Sequence, residues 1–583
     1  MANRSPSSRR KFFPDGFWLM SSQVDMSGFI PAVVAEEERR HETQDGDEDE
    51  DETADFTTGD VDGLGLYDAE GGLNAYHAPR NSRQLQMMKE QKRTRRMRQM
   101  EAIAPRHEIL QNLPFFIPFE TRVQIFREFI LRDQQRRRGG YVNPDSWRWS
   151  IAQSGDINPD TGRPTSIDIL QRHHADIQRS SIFSSAFDQF YKLADGLKEP
   201  IQITFIDQFG AEEAGIDGGG VTKEFLTSIT KETFDPLNEE QLFVANDQNL
   251  LYPNPGKLDS YMYLLRAVGM QDGSNEMKGA VQELLARYQF LGRIIGKCLY
   301  EGFLIDVSFA GYFLLRWALT GGTTQAAKES GYRATIDDLR DLDEGLYQGI
   351  LKLKHYDGDV EADFGLNFTV VDTFDVPAPT LSNPHKMETK SITRPLKPNG
   401  ADIPVTNSNR PGYISLLASH RLRAQSLHQT NAFLSGLGQI IQPMWLSMFN
   451  QSELQRLVGG DSREIDISDL RANTIYSGLY VIGDDEAEHP TIKLFWDVLR
   501  KMDDEDRRKV LKFVTSTPRA PLLGFSHLNP RFSIRDSGAG DEGRLPSTST
   551  CVNLLKLPRY GNARVLRDKL LYAVNSGAGF DLS

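Results

Sequence analysis

The run Arg544-Leu545-Pro546-Ser547-Thr548-Ser549-Thr550-Cys551-Val552-Asn553-Leu554-Leu555-Lys556-Leu557-Pro558 puts a turn, a thiol and a strand-like apolar segment within 15 residues. A proline and small hydroxyl residues precede Cys551 and an apolar stretch follows it. The cysteine is therefore expected on a loop entering or leaving a strand, where a thiolate can be reached. Local context alone leaves a reactive thiol and an incidental one equally open. The only other cysteine, Cys298, falls on the stripe Leu291, Ile294, Ile295, Cys298, Leu299. That spacing is one face of a helix, and a buried cysteine there behaves as a small hydrophobe.

Outward from these two residues, the 583-residue chain carries 67 Lys+Arg against 81 Asp+Glu, a net charge of −14, with 39% hydrophobic and 10% aromatic residues. This suits a protein with apolar content for more than one packed domain and excludes fibrous repeats and disulfide scaffolds. Two cysteines fit a reducing compartment. An acidic balance argues against nucleic acid as the main partner, because phosphate binding needs concentrated basic surface. The acidity is local: residues 36–60 hold 13 Asp+Glu and two Arg, a balance of −11 that leaves −3 for everything else.

Residues 36 to about 80, acidic and then Gly-rich, are expected to be disordered, since they bury too little apolar surface to offset chain entropy. The basic run Lys89–Arg98 reads either as an import or acidic-partner patch or as a solvated helix face. No run supplies the roughly 18 uncharged apolar residues of a membrane helix. Leu304–Leu319 is interrupted by Asp306 and Arg316 and is expected to be a buried helix, and Asp15 and Asp25 argue against a signal peptide. Globular patterning begins near 105, with Val123, Phe126 and Ile130 at helical spacing after Pro118, a first-turn position. Strand-like runs occupy Ile201–Ile206 and Leu366–Val371. The proline-rich stretch from Pro377 to Pro398 is expected to be a surface loop. A further helix starts at His489-Pro490, with Ile492, Phe495, Trp496 and Leu499 on one face. Asp503–Asp506 precede Arg507-Arg508-Lys509, acids leading bases as the helix dipole prefers. The last helix carries Leu566, Leu570, Ala573 and Val574.

Metal binding is not expected, since there is no CxxC or HxxxH pattern, and no cofactor is implied. Gly215-Ile216-Asp217-Gly218-Gly219-Gly220 lacks the spacing of a phosphate loop and reads as a tight turn leading into a helix at Lys223-Glu224-Phe225-Leu226.

The order of motifs carries a family resemblance. Ala214–Gly220 with Lys223-Glu224-Phe225 resembles the opening of a HECT-type ubiquitin ligase domain. Asn249–Pro255, Tyr288–Arg293, Gly296-Lys297 and Asn473–Tyr476 continue the match. Phe513-Val514-Thr515, Leu523-Gly524-Phe525, Arg544-Leu545-Pro546, Ser549-Thr550-Cys551, Asn553–Pro558 and the terminal Gly579–Ser583 complete it. The resemblance runs from about residue 200 to the end. Its wording is most similar to the proteasome-associated HECT subgroup and extends upstream through Phe115–Glu120.

The resemblance implies an α+β, bilobal fold: a large, mostly helical N-lobe at 201–475, a hinge at 476–480 and a small α/β C-lobe at 481–583. A mostly disordered segment (1–104) and a helical extension (105–200) precede them. It implies that Cys551 takes ubiquitin as a thioester from a charged ubiquitin-conjugating enzyme and passes it to lysines of protein substrates, building chains for proteasomal degradation. Ubiquitin, the conjugating enzyme, substrates and the proteasome are then the partners, in the cytoplasm or nucleus. Thr550 matches the family's Thr-Cys pair, and Phe580 matches a C-terminal aromatic used in positioning; its alternative is plain packing on the last helix. Many relatives carry His where this chain has Ser549, so that role does not transfer. The hinge has Gly478-Leu479 where relatives often have two glycines, which suggests a stiffer link. The conjugating enzyme is expected to dock within about 340–440. Relatives carry long N-terminal regions, so the chain is expected to be a fragment, an incomplete gene model or a short form. Two rival readings remain: a cysteine hydrolase pairing Cys551 with a histidine such as His527, and a scaffold that no longer transfers.

Overall fold

The computed structural model describes residues 28–51, 105–153, 165–213, 220–235, 238, 240–317, 335–378, 387–461, 463–483, 487–537 and 543–576. The basic run 89–98, the glycine run 214–219 and Phe580 lie outside them. Ten short strands, β1 (His174–Gln178), β2 (Gln202–Ile206), β3 (Phe243–Ala245), β4 (Leu251–Pro253), β5 (Thr369–Pro377), β6 (Met387–Pro395), β7 (Ile475–Ser477), β8 (Ser533–Asp536), β9 (Ser547–Ser549) and β10 (Leu554–Leu557), sit among many helices. The expected α+β class with a helical large lobe holds.

Two hydrophobic cores divide the chain. One gathers buried residues from Val33 to Val458, the other from Ile465 to Ala573. Residues 459–464, beginning with Gly459-Gly460, separate the two in sequence, and Gly460 has φ +90°. Tyr476–Tyr480, the expected hinge, packs with the second core. β7 pairs in parallel with β8, and buried Tyr480 donates from its hydroxyl to Leu557 O at 3.0 Å. A glycine between tyrosines reads locally as a linker, but it is held here by pairing with strands more than 50 residues onward. Leu479 is exposed in a single turn following Gly478, whose φ of +65° suits glycine.

The large lobe is organised by the helix Asn275–Glu301. Ser274 caps its start by accepting from Met277 N, and Gly302 in the left-handed region ends it. Its predicted stripe, Leu291, Ile294, Ile295, Cys298 and Leu299, is wholly buried. The helix Leu427–Ile440 packs on it backbone to backbone through Gly292 and Gly436: a Cβ on Gly292 would lie 1.9 Å from Phe433 O, and one on Gly436 1.8 Å from Gln289 O. Val123, Phe126 and Ile130 are buried on the helix Phe119–Arg137, with Pro118 as its N-cap rather than in its first turn. Among the described residues of the apolar run from Leu304, Gly311–Trp317 is helical.

Two expectations of irregular chain fail. The acidic block is in part ordered: Phe29–Asp51 is a helix whose Val33 and Val34 join the large core. Its Glu36 accepts from Arg106 Nη1 at 2.5 Å and Arg106 N at 2.9 Å, and Glu37 accepts from Trp445 Nε1 at 2.8 Å. Partners far along the chain supply the stabilisation that composition lacks. The stretch taken as a proline-rich loop contains β6, paired with β5 in a nine-residue antiparallel register from Thr369↔Pro395 to Pro377↔Met387. Pro377 and Pro395 sit at strand ends, where a missing N–H costs little. At its base, buried Asp372 takes Arg394, His420 and Arg421 at 2.9–3.0 Å.

The small lobe is a four-stranded sheet in the order β7-β8-β10-β9, with helices Pro490–Lys501, Asp504–Thr515 and Ala563–Ser576. Asp503 caps the second of these, accepting from Asp506 N at 2.8 Å. Ile492, Phe495, Trp496, Leu499, Leu566, Leu570 and Ala573 fill the core as their periodicity predicts. No helix among the described residues is long and apolar enough to cross a membrane.

Candidate active site around Cys551

β9 runs antiparallel to β10, with Leu554 opposite Ser549, and the connection between them is the single tight turn Thr550–Val552. Closing two strands this quickly needs a left-handed residue, supplied by Asn553 at φ +50°. Asn553 is fully buried and donates from Nδ2 to Pro530 O; its N–H reaches Thr550 O at 3.3 Å. Cys551 therefore sits half-exposed at the crest of a pinned turn.

The turn rests on the large lobe. Lys223, on the helix Gly220–Phe234, is buried and donates from Nζ to Thr515 O at 3.0 Å, to Thr550 O at 2.9 Å and to Asn553 Oδ1. Its neighbour Glu224 pairs with Arg179 at 2.7 Å, and Arg179 also holds Glu213 at 2.7 Å. Burial lowers Lys223 to about 7, opposed by the nearby Cys551 sulfur. Burial is also the largest influence on the Cys551 thiol. It raises that pKa, the Glu224 carboxylate raises it further, and the Val552 N–H, Lys223 and Cys551's own N–H oppose the rise.

Cys298 is a different kind of thiol. Sealed in the core, it is pushed by burial up to about 12. The contrast supplies a pH test. Native-state alkylation by iodoacetamide, mapped by mass spectrometry, is expected at Cys551 and not at Cys298. Below the thiol's raised pKa the thiolate grows with pH, so the rate should climb roughly tenfold per unit and level off only above the ordinary cysteine range. A plateau at lower pH, or early labelling of Cys298, would contradict this electrostatic picture.

Thr550 contributes its main-chain carbonyl to the site, as the acceptor for Lys223. Phe580 lies outside the described residues. His527, offered for a hydrolase, has its Nδ1 near Leu523 O and Ser526 Oγ, both at 3.0 Å, within its own turn. The charged groups acting on Cys551 are Glu224 and Lys223 instead. Sequence reasoning placed Lys223 and Glu224 only as the start of a helix. With Lys223 and Thr550 separated by 327 positions in the chain, no local pattern joins them. Groups of His, Cys, Asp and Glu able to hold a metal are absent among the described residues.

Comparison with known proteins agrees with this architecture. A family model described as HECT-domain (ubiquitin-transferase) matches residues 227–583. A probable E3 ubiquitin protein ligase of Schizosaccharomyces pombe is 44% identical over 479 residues, 82% of this chain and 39% of its own length. The E3 ubiquitin-protein ligase HUL5 of Saccharomyces cerevisiae is 39% identical over 478 residues, 82% of this chain and 45% of its own. The human ubiquitin-protein ligase E3B is 34% identical over 500 residues, 82% of this chain and 40% of its own. The chain spans about two-fifths of the length of these curated relatives. Two cores joined by a short link, the thiol-bearing turn in the smaller, and a family match over more than half the residues lead to one conclusion: this chain belongs to the HECT-domain family.

Proposed function

We propose that the chain is a ubiquitin-protein ligase in which Cys551 accepts ubiquitin from a charged conjugating enzyme and hands it to substrate lysines. The observation that carries this is the contrast between its two thiols, one sealed in the core and one at an accessible turn beside Lys223 and Glu224. In the first step Cys551 sulfur attacks the conjugating enzyme's thioester. One C–S bond forms as the other breaks, and the proton lost by Cys551 ends on the departing thiol. In the second, a neutral lysine amine attacks the new thioester, the isopeptide C–N bond forms, the C–S bond breaks, and the amine's proton returns to Cys551. A thiol suits this relay because thioester exchange is nearly balanced in energy, whereas an oxygen ester is a poorer acyl donor.

The β5–β6 hairpin and its neighbours, with Phe364, Val371 and Met387 exposed, support docking of the conjugating enzyme within 340–440. Polyubiquitin chains for the proteasome and a cytoplasmic or nuclear site belong to the same proposal, supported by the motif resemblance and by two unpaired cysteines. The test is incubation with activating enzyme, conjugating enzyme, ATP and ubiquitin, which should yield an adduct sensitive to reducing agent. No adduct at all would favour the scaffold reading. Deleting residues 580–583 is expected to slow transfer without changing the melting temperature, by the positioning role proposed for Phe580. Undiminished chain formation by that truncation would remove Phe580 from the mechanism.

A further inference from the structure

Lys223 is a large-lobe residue whose three hydrogen-bond acceptors all belong to the small lobe: Thr515 O, Thr550 O and Asn553 Oδ1. Two of these bracket Cys551 in sequence, and the third ends the helix Asp504–Thr515 beneath it. Three acceptors match the three N–H groups of an ammonium. Taking that ammonium out of water is costly unless every donor is met, so the contact is either made whole or abandoned. Among the described residues, Lys512 of the small lobe pairs with Asp306 of the large one at 2.7 Å, but that pair is exposed, and such pairs contribute little. Besides Leu522 and Leu523, which pack against the large core, Lys223 holds the cysteine turn itself on the large lobe.

We propose that Lys223 is a positioning residue that docks the Cys551 turn on the large lobe for the second step, transfer to the substrate amine, and that loading uses a small lobe released from it. The inference rests on the ligase reading above. Docking brings Cys551 within electrostatic reach of Glu224, which Arg179 holds in place. Burial in the docked state and the Glu224 carboxylate together disfavour the thiolate needed for loading, outweighing the opposing Lys223. The same carboxylate attracts the ammonium of an incoming lysine and can accept its proton, which transfer requires. Docked geometry and amine transfer therefore suit each other, while loading is better served with the lobe free.

The test separates the two steps with the full chain. Wild type, Lys223→Ala and Lys223→Met are loaded from ubiquitin-charged conjugating enzyme, recharging is stopped by removing ATP, and discharge to free lysine is followed. Loading is expected to be unchanged within about twofold, or faster, while discharge slows at least tenfold. Lys223→Arg, which keeps several donors, is expected to recover much of the discharge. Thermal melts of all variants identify general damage. Normal discharge by loaded Lys223→Ala overturns the inference. A proportionate loss of loading and discharge with a lowered melting temperature also overturns it, because Lys223 would then be structural. A wild-type chain that takes no ubiquitin on Cys551 overturns the proposed function and this inference together.

Discussion

Cys551→Ala is expected to form no ubiquitin thioester and to lose transfer by about 10⁴-fold or more, because removing a covalent nucleophile closes both steps of the route. The variant should melt like wild type. Cys551 sits half-exposed on a turn, so truncating it opens no core cavity, and the turn is held by Asn553 and Lys223 rather than by the sulfur. Cys298→Ala should keep the adduct, at some cost in stability from the small void it leaves in a packed helix face. Cys551→Ser separates chemistry from geometry further: any adduct should form slowly and survive reducing agent, as an oxygen ester would. A reducible adduct that persists in Cys551→Ala would move the site elsewhere.

Gly292→Ala and Gly436→Ala are expected to produce the largest losses of stability, about 3 kcal/mol or more each, or no soluble protein. Adding a methylene to a packed core typically costs about 1–3 kcal/mol even where side chains can shift. Here the new methyl would meet main-chain oxygen at 1.9 and 1.8 Å, and neither helix can give way without parting from the other. Gly279, exposed on the same helix as Gly292 with nothing near its missing Cβ, is the control. Gly279→Ala should be neutral or stabilising by roughly 0.5–1 kcal/mol, since alanine restricts the unfolded chain and favours helix. Denaturant titration of the three variants decides it. A Gly436→Ala midpoint close to wild type would show that the two helices do not need their close approach.

The amino-acid sequence by itself determined the parts written in short-range pattern. The stripe through Cys298, the stripe through Phe495 and Trp496, and the strand after Cys551 follow from side-chain periods of 3.6 and 2, which neighbouring residues suffice to encode. The same pattern separates the two thiols, and the ordered motifs from Gly215 to Pro558 mark the family. Tertiary structure decided the rest, and in each case the reason is distance along the chain. The acidic helix is ordered because Glu36 and Glu37 find Arg106 and Trp445. β6 is a strand because β5 lies beside it, although the prolines in and around it read as loop. β7 and Tyr480 pack with the second core because strands far downstream claim them. Lys223 belongs to the site only because two lobes close on it, bringing a buried ammonium to a turn 327 residues away. Hydrogen bonds and burial of that range carry no local signature; they exist only once the chain has folded.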